Sequence, residues 1–232
     1  MRLLLLSNSR NSGGGWLDHA ERELRDFFGP PGAKKGPLLF FPFAAVSMSF
    51  DAYTRMAQQR FSRMGYEILG AHRARSIRGV RGFLAGGGST FRLLDEMQRR
   101  GWLAKVKRAV LRGVPYAGWS AGSNLACPTI RTTNDMPIVE PRSLAAMGLV
   151  PFQLNPHYTE RVLARHGGET RDQRIAEFQR LNPGVPVLGL REGSLLRLEG
   201  KRLSLCLGPG ARLFLKNRKI DYQAGKDLSF LL

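Results

Sequence analysis

Short apolar runs alternate with amphipathic stretches along most of this chain. The apolar runs lie at 2–6, 38–43, 66–70, 82–85 and 114–118, and stretches with helical spacing lie between them at 16–28, 51–64 and 90–100. This alternation is typical of βαβ units, in which consecutive strands run parallel. It therefore predicts an α/β fold built on a mostly parallel sheet.

The C-terminal part of the sequence has a different pattern. Strand-like runs at 152–154 and 187–190 flank a helical stretch at 172–181, and shorter alternating runs follow at 195–198, 203–207 and 212–215. Short runs separated by turn residues favour hairpins. We expect these hairpins to form an antiparallel edge on the parallel sheet.

The length of the chain predicts one domain. Its 232 residues suffice for one sizeable core, and no repeat or linker divides them, so 1–232 is interpreted as a single domain. The N-terminal run of four leucines is too short for a secretory signal or a membrane span and is predicted to be a buried strand. The two cysteines, Cys127 and Cys206, form no disulfide framework, which favours the reducing cytoplasm.

The chain is strongly basic, with 36 Lys and Arg against 18 Asp and Glu and a formal charge of +18. Such a charge concentrates anions, including a small acidic substrate. Basic residues cluster within 98–112, but no zinc finger, RNP-type strand or helix-turn-helix pattern accompanies them. We therefore expect no specific nucleic-acid partner and no membrane partner. A non-catalytic protein that binds acidic surfaces through charge alone stays an alternative.

A nucleophile motif lies in the middle of the chain. The residues from Gly118 to Gly122 match the G-x-S-x-G elbow, with an apolar strand before them and a predicted helix from Ala121 after them. This placement predicts Ser120 as a nucleophile, with helix N-terminal amides able to stabilise an oxyanion. The glycine run 86–88 lacks the lysine and spacing of a nucleotide-binding loop. We expect it to contribute a further backbone amide donor instead.

A serine nucleophile needs a base and an acid that orients the base. The histidines of the chain are His19, His72, His157 and His166. His157 follows a strand-like run, and would therefore lie at the carboxyl edge of a sheet, where ligands of α/β proteins bind. Two acids could orient it, Asp135 in a polar loop and Glu192 after another apolar run, and sequence order does not decide between them.

These residues resemble the peptidase E family of serine peptidases, which are α-aspartyl dipeptidases. The matching blocks are 3–9, 86–88, 118–122, 124–139, 155–157 and 168–171, and the block at 124–139 is a continuous run of sixteen residues. The resemblance implies a class I glutamine amidotransferase-like fold, with a three-layer α/β/α arrangement. It also implies Ser120 as nucleophile and His157 as base, with Asp135 or Glu192 as the acid.

The resemblance further implies a substrate with an unblocked N-terminal aspartate, and no metal or organic cofactor. It predicts Arg171 as a clamp for the aspartate side chain, and amides of Gly88 and Ala121 as oxyanion donors. Ser89 and Thr90 are predicted to lie beside the substrate, Ser89 standing where the family commonly has asparagine. A related hydrolase of other aspartyl chains, such as cyanophycin-type polymers, is an alternative, and a homodimer is left open.

Overall fold

The computed structural model describes residues 1–32, 36–161, 167–216 and 218–232. The strands are β1 (Arg2–Leu6), β2 (Leu38–Phe41), β3 (Ile68–Gly70), β4 (Gly82–Ala85), β5 (Tyr116–Trp119), β6 (Gln153–Tyr158), β7 (Val187–Arg191), β8 (Leu195–Glu199), β9 (Arg202–Cys206), β10 (Ala211–Leu215) and β11 (Arg218–Tyr222). The α-helices are α1 (Glu21–Phe28), α2 (Phe50–Ser62), α3 (Thr90–Arg99), α4 (Trp102–Leu111), α5 (Ala121–Asn124) and α6 (Arg171–Leu181). Short 3-10 turns lie at Asp18–Ala20 and Ser229–Leu231.

The larger sheet has seven strands in the order β3-β2-β4-β5-β1-β8-β9. The five strands from β3 to β1 are parallel, and β8 and β9 continue the sheet in antiparallel fashion. The prediction of a mostly parallel central sheet is therefore confirmed, and so is the antiparallel edge formed by β8 and β9.

Both faces of this sheet are covered, which explains why its strands are apolar throughout rather than alternating. In β1, Leu3 and Leu5 belong to one core cluster, whereas Leu4 and Leu6 belong to another. The first cluster includes residues of α3, α4 and α5, and the second includes residues of α1 and α2. Helices thus lie on both sides of the sheet, as a three-layer α/β/α fold requires.

A second sheet of four strands, in the order β11-β10-β7-β6, lies apart from the first. The expectation that the run at 212–215 joins the edge of the parallel sheet was wrong, since this run forms β10, which pairs with β7 and β11. The physical reason is that an apolar run encodes burial of a strand, but not the identity of its neighbour. Leu154 of β6 and Leu188 of β7 join the same core as α3, α4 and α5, so the two sheets share one interior.

No helix in the described ranges is long and apolar enough to cross a membrane.

Candidate active site

Ser120 lies between the end of β5 and the start of α5. Its backbone adopts φ 53° and ψ −113°, a conformation that is costly for a residue with a side chain. Neighbouring hydrogen bonds hold it there: the Ser120 amide donates to the Leu6 carbonyl at 3.1 Å, and the Ser123 amide donates to the Ser120 carbonyl at 2.9 Å. The sharp turn projects the hydroxyl from the carboxyl end of the sheet, as a nucleophile elbow does.

The two glycines of the motif are required by packing. A Cβ at Gly118 would lie 2.5 Å from the carbonyl carbon and oxygen of Gly122, and a Cβ at Gly122 would overlap the carbonyl of Ala85 in β4. These neighbours are backbone atoms, so a rotamer change cannot relieve the overlap. The helix can pass this close to the sheet only where side chains are absent.

His157 lies within β6, and not after its end as the sequence predicted. The pairing of β6 with β7 shifts register between Pro156 and Tyr158, and His157 has φ 56° at this irregularity. A β-bulge of this kind redirects one side chain without ending the strand. The apolar run at 152–154 therefore predicted a strand shorter than the observed β6. Here it turns the imidazole toward Ser120.

The imidazole of His157 connects the serine to a carboxylate. Its Nε2 lies 2.9 Å from Ser120 Oγ, and its Nδ1 lies 2.6 Å from Glu192 Oε1. A hydroxyl donates to Nε2 when Nδ1 carries the proton, and Nδ1–H then donates to the carboxylate; this tautomer follows from the partners. Of the two candidate acids, Glu192 is therefore the one that contacts His157.

Glu192 follows directly after β7, in a tight turn completed by Gly193 at φ 85°. The Gly193 amide donates to Asn8 Oδ1 at 2.8 Å, which ties this turn to the end of β1. The side chain of Glu192 is 59% exposed and that of His157 is 41% exposed, so their hydrogen bond lies at the rim of the site. Its strength depends on how well the supporting turn positions the carboxylate.

Asp135 occupies a different place. Its Oδ2 accepts a hydrogen bond from the backbone amide of Thr90, at the first residue of α3, at 2.7 Å. Asp135 also lines a small cavity of about 20 Å³ together with Ser120, Ala121 and His157. It is thus a residue of the site but not the partner of the imidazole.

Arg171 begins α6, where Thr170 and Gln173 form a capping box. It lines a second cavity of about 110 Å³, which shares Asp135 with the first. Burial, reinforced by the nearby charge of Arg174, lowers the pKa of Arg171, while Asp135 opposes that shift. A guanidinium desolvated in this way is prepared to bind an anion.

The glycine loop lies against the serine. A Cβ at Gly87 would stand 3.2 Å from Ser120 Cβ, and a Cβ at Gly88, where φ is 128°, would overlap the carbonyl of Ala44. Within the described ranges, the amides of Gly88 and Ala121 donate to no other backbone or side-chain group. The loop therefore brings a free backbone amide close to Ser120.

Ser89 and Thr90 start α3. The hydroxyl of Ser89 caps the helix by accepting from the Arg92 amide at 3.3 Å, and Thr90 Oγ1 accepts from Thr133 Oγ1 at 2.9 Å. Thr90 lines the cavity beside Ser120. The contact of either residue with a substrate stays a prediction.

Neither of the other described histidines is hydrogen-bonded to Ser120 or Glu192. His72 Nε2 lies 2.6 Å from Asp51 Oδ1, His19 belongs to the 3-10 turn that precedes α1, and His166 lies outside the described residues. Burial lowers the pKa of His19.

Ser7 and Asn8, both buried, support the site, although the sequence assigned them no role beyond the matching block at 3–9. They follow the last residue of β1, where the apolar run ends in polar side chains. That change at the carboxyl end of a parallel strand is the signal that could have revealed them.

The chain shows similarity to known peptidases over nearly its full length. The model of peptidase family S51 matches residues 3–206. A peptidase E from a Nostoc species is 42% identical over 236 residues, covering 100% of this chain and 96% of the relative. A peptidase E from Shewanella oneidensis is 43% identical over 234 residues, covering 99% and 98%.

A solved structure supports the fold. The crystal structure of a peptidase from an acI-B1 Actinobacterium aligns with a TM-score of 0.73 at 15% identity, covering 99% of this chain and 96% of the other. The fold and these relatives define the protein as a serine peptidase of the α/β class. The chain belongs to peptidase family S51.

Proposed function

We propose that this peptidase is an aspartyl dipeptidase, which hydrolyses the bond after an N-terminal aspartate in dipeptides and very short peptides through an acyl-enzyme on Ser120. The observation that carries the proposal is the pair of contacts made by His157, 2.9 Å to Ser120 Oγ and 2.6 Å to Glu192 Oε1. The nucleophile and the acid that orients the base therefore both lie within hydrogen-bond reach of the base.

The first half of the reaction forms the acyl-enzyme. His157 Nε2 takes the Ser120 proton as Oγ bonds to the substrate carbonyl carbon, and the carbonyl electrons move onto oxygen. Glu192 stabilises the imidazolium that results, and the amides of Ala121 and Gly88 donate to the oxyanion. The tetrahedral intermediate collapses, the C–N bond breaks, and the imidazolium gives its proton to the leaving amine.

The second half releases aspartate. Water gives a proton to His157 Nε2 and attacks the acyl carbon. A second oxyanion forms at the same amides and collapses, and the bond to Ser120 Oγ breaks as His157 returns the proton to it. One water is consumed and the enzyme regains its starting protonation.

Arg171 accounts for the preference for aspartate. It lines the cavity that adjoins the one containing Ser120, together with Arg131 and Arg174. A guanidinium can grip a carboxylate with two hydrogen bonds, which favours an acidic side chain over its amide.

We place the protein in the cytoplasm, because Cys127 and Cys206 are both free thiols and Cys127 is fully buried. Burial raises the pKa of Cys127 to about 12, so it is an unreactive core residue.

The formal charge of +18 concentrates acidic peptides near the surface. The homodimer stays a prediction.

The test compares the hydrolysis of Asp-Leu, Asn-Leu and β-linked Asp-Leu by the purified protein, with free leucine quantified by chromatography. We expect Asp-Leu to be cleaved with a kcat/KM about 100-fold or more above that of Asn-Leu, and Ser120→Ala to abolish cleavage. Preference for the β-linked peptide or for cyanophycin would instead favour the polymer hydrolase. Salt-sensitive binding of nucleic acid that survives Ser120→Ala, with no peptide cleaved by the natural protein, would contradict the peptidase.

A further inference from the structure

Tyr53, a buried residue of α2, contacts the glycine loop that lies beside Ser120. Its side chain is 7% exposed, and its hydroxyl donates to the Gly87 carbonyl at 3.2 Å. The oxygen of the same hydroxyl accepts a hydrogen bond from Trp119 Nε1–H, also at 3.2 Å. Because the oxygen accepts from the indole, its own proton is free to point at the loop. The contact between Tyr53 and the loop is therefore a directed hydrogen bond.

The surroundings of Tyr53 keep this donor in place. Its ring packs edge-on against Phe40, with the two centroids 5.0 Å apart, and also contacts Trp16. Burial raises the pKa of Tyr53 to about 12, so the hydroxyl keeps its proton throughout the neutral pH range. A Cβ at Gly86 would lie 2.7 Å from the hydroxyl oxygen, so the loop approaches the ring as closely as its backbone allows.

The bond to the Gly87 carbonyl also determines where the Gly88 amide points. The carbonyl of one residue and the N–H of the next belong to a single planar peptide unit, and in the trans form they point in opposite directions. Tyr53 holds the carbonyl toward the buried rings, so the Gly88 amide must point away from them. Gly88 is exposed, and within the described ranges its amide donates to no other backbone or side-chain group.

A peptide between two glycines needs such a restraint. It can rotate as a unit, because neither residue has a Cβ that would exclude the reversed orientation. This peptide lies beside the nucleophile, since a Cβ at Gly87 would stand 3.2 Å from Ser120 Cβ. In the reversed orientation the negative end of the peptide dipole would face the oxyanion that forms there, and would destabilise it.

The geometry points to Tyr53 as a positioning residue for the oxyanion site, whose hydroxyl keeps the peptide between Gly87 and Gly88 in the orientation that presents the Gly88 amide. The inference rests on the proposed function and deepens it. Tyr53 acts through the peptide and not on the reacting atoms. Because the oxyanion exists only in the transition state and the tetrahedral intermediate, Tyr53 supports kcat and contributes little to the binding of the substrate.

The first test is Tyr53→Phe, which removes the hydroxyl and keeps the ring. We expect kcat on Asp-Leu to fall about tenfold or more while KM changes less than about twofold. Tyr66→Phe is the matched control, since Tyr66 is also buried and its hydroxyl also donates to a backbone carbonyl, that of Gly29, at 2.7 Å. Both variants lose a buried bond from a tyrosine to the backbone, but only Tyr53→Phe should lower kcat.

A second test uses the aldehyde analogue of aspartate, in which the α-carboxyl group is replaced by CHO. Ser120 Oγ adds to the aldehyde carbon, its proton passes to His157, and the electrons of the C=O bond move onto the oxygen at the oxyanion site. We expect the inhibition constant of the aldehyde to rise about tenfold in Tyr53→Phe. The inhibition constant of β-alanine, which keeps the amine and the acidic chain but lacks the reacting carbonyl, should change less than about twofold.

Three results would overturn the inference: an unchanged kcat in Tyr53→Phe, a similar loss of kcat in Tyr66→Phe, or equal changes in the two inhibition constants. If the natural protein does not cleave Asp-Leu, the proposed function fails and the role of Tyr53 fails with it. If the natural protein cleaves Asp-Leu and Tyr53→Phe cleaves it equally well, only the role of Tyr53 fails.

Discussion

The Ser7 hydroxyl accepts a hydrogen bond from the His157 backbone amide at 2.8 Å and donates one to the Leu190 carbonyl at 2.7 Å. Ser7 follows β1 of the larger sheet, whereas His157 and Leu190 belong to β6 and β7 of the smaller one. The Ser120 amide donates a hydrogen bond to the carbonyl of Leu6, the residue before Ser7. The end of β1 therefore positions both the nucleophile and the histidine.

Ser7→Ala should reduce catalysis, since it frees the backbone of His157. We expect kcat on Asp-Leu to fall about 10- to 100-fold through misplacement of the imidazole, and the free energy of unfolding to fall by about 1–3 kcal/mol because the His157 amide and the buried Leu190 carbonyl lose their partner. Steady-state kinetics and urea unfolding measure the two effects. Ser9→Ala is the control, since the Ser9 side chain has no hydrogen bond within the described ranges. An unchanged kcat in Ser7→Ala would refute the positioning role.

Glu192→Gln should lower kcat far more than it raises KM. The amide can still contact Nδ1 at the site of the 2.6 Å bond, but it favours the wrong tautomer and does not stabilise the imidazolium. We expect a loss of about 10²–10⁴-fold in kcat, measured on Asp-Leu at saturation. Glu177→Gln, an exposed change of the same charge on α6, is the matched control and should leave kcat unaltered. Similar kcat values for both variants would exclude Glu192 as the orienting acid.

Gly122→Ala should disrupt the elbow, because its new methyl group would overlap the backbone of Ala85. We expect a loss of about 1–3 kcal/mol in the free energy of unfolding from overpacking, together with a large loss of kcat as Ser120 is displaced. In Gly14→Ala the nearest atom is the Asn11 carbonyl oxygen at 3.5 Å, an ordinary contact, so this variant should be neutral. Thermal unfolding monitored by circular dichroism compares the melting temperatures of Gly122→Ala and Gly14→Ala. Equal melting temperatures would show that the helix tolerates a side chain at 122.

An ion-pair network stabilises the second sheet at neutral pH. Asp221 of β11 is bonded to Arg191 and to Arg212, the latter at 2.7 Å, and the hydrogen bond from Arg212 lowers the pKa of Asp221. A carboxyl with a depressed pKa in the folded state stabilises the protein above its unfolded pKa of 3.8 and loses that effect as the pH falls below it. The network should therefore weaken below about pH 4.

Asp221→Asn should reveal this dependence. Since the Asp221 side chain is 45% exposed, we expect the variant to be less stable by no more than about 1 kcal/mol at pH 7, and the difference to disappear near pH 3. Urea unfolding of both proteins at a series of pH values tests it. A difference that grows as the pH falls would have the wrong sign and would reject the ion-pair explanation.

Much of the local structure was predictable from the chain. The strand at 82–85 was located to the residue, and the helices at 90–99 and 171–181 were located within one residue at their ends. These segments are regular, so hydrophobic periodicity and cap residues suffice to locate their ends. The strand containing His157 was too short in the prediction, because a bulge interrupts the alternation that reveals a strand.

The sequence by itself determined that a strand, a sharp turn and a helix meet at Ser120, since this motif is contiguous and its glycines have a local steric cause. Only the tertiary structure decided that Glu192, and not Asp135, contacts His157, and that β6 and β7 form part of a second sheet. The reason is physical. Hydrogen-bond partners are selected by ångström-scale positions of chain segments remote in sequence, and strand register and a single bulge set those positions without any periodic pattern.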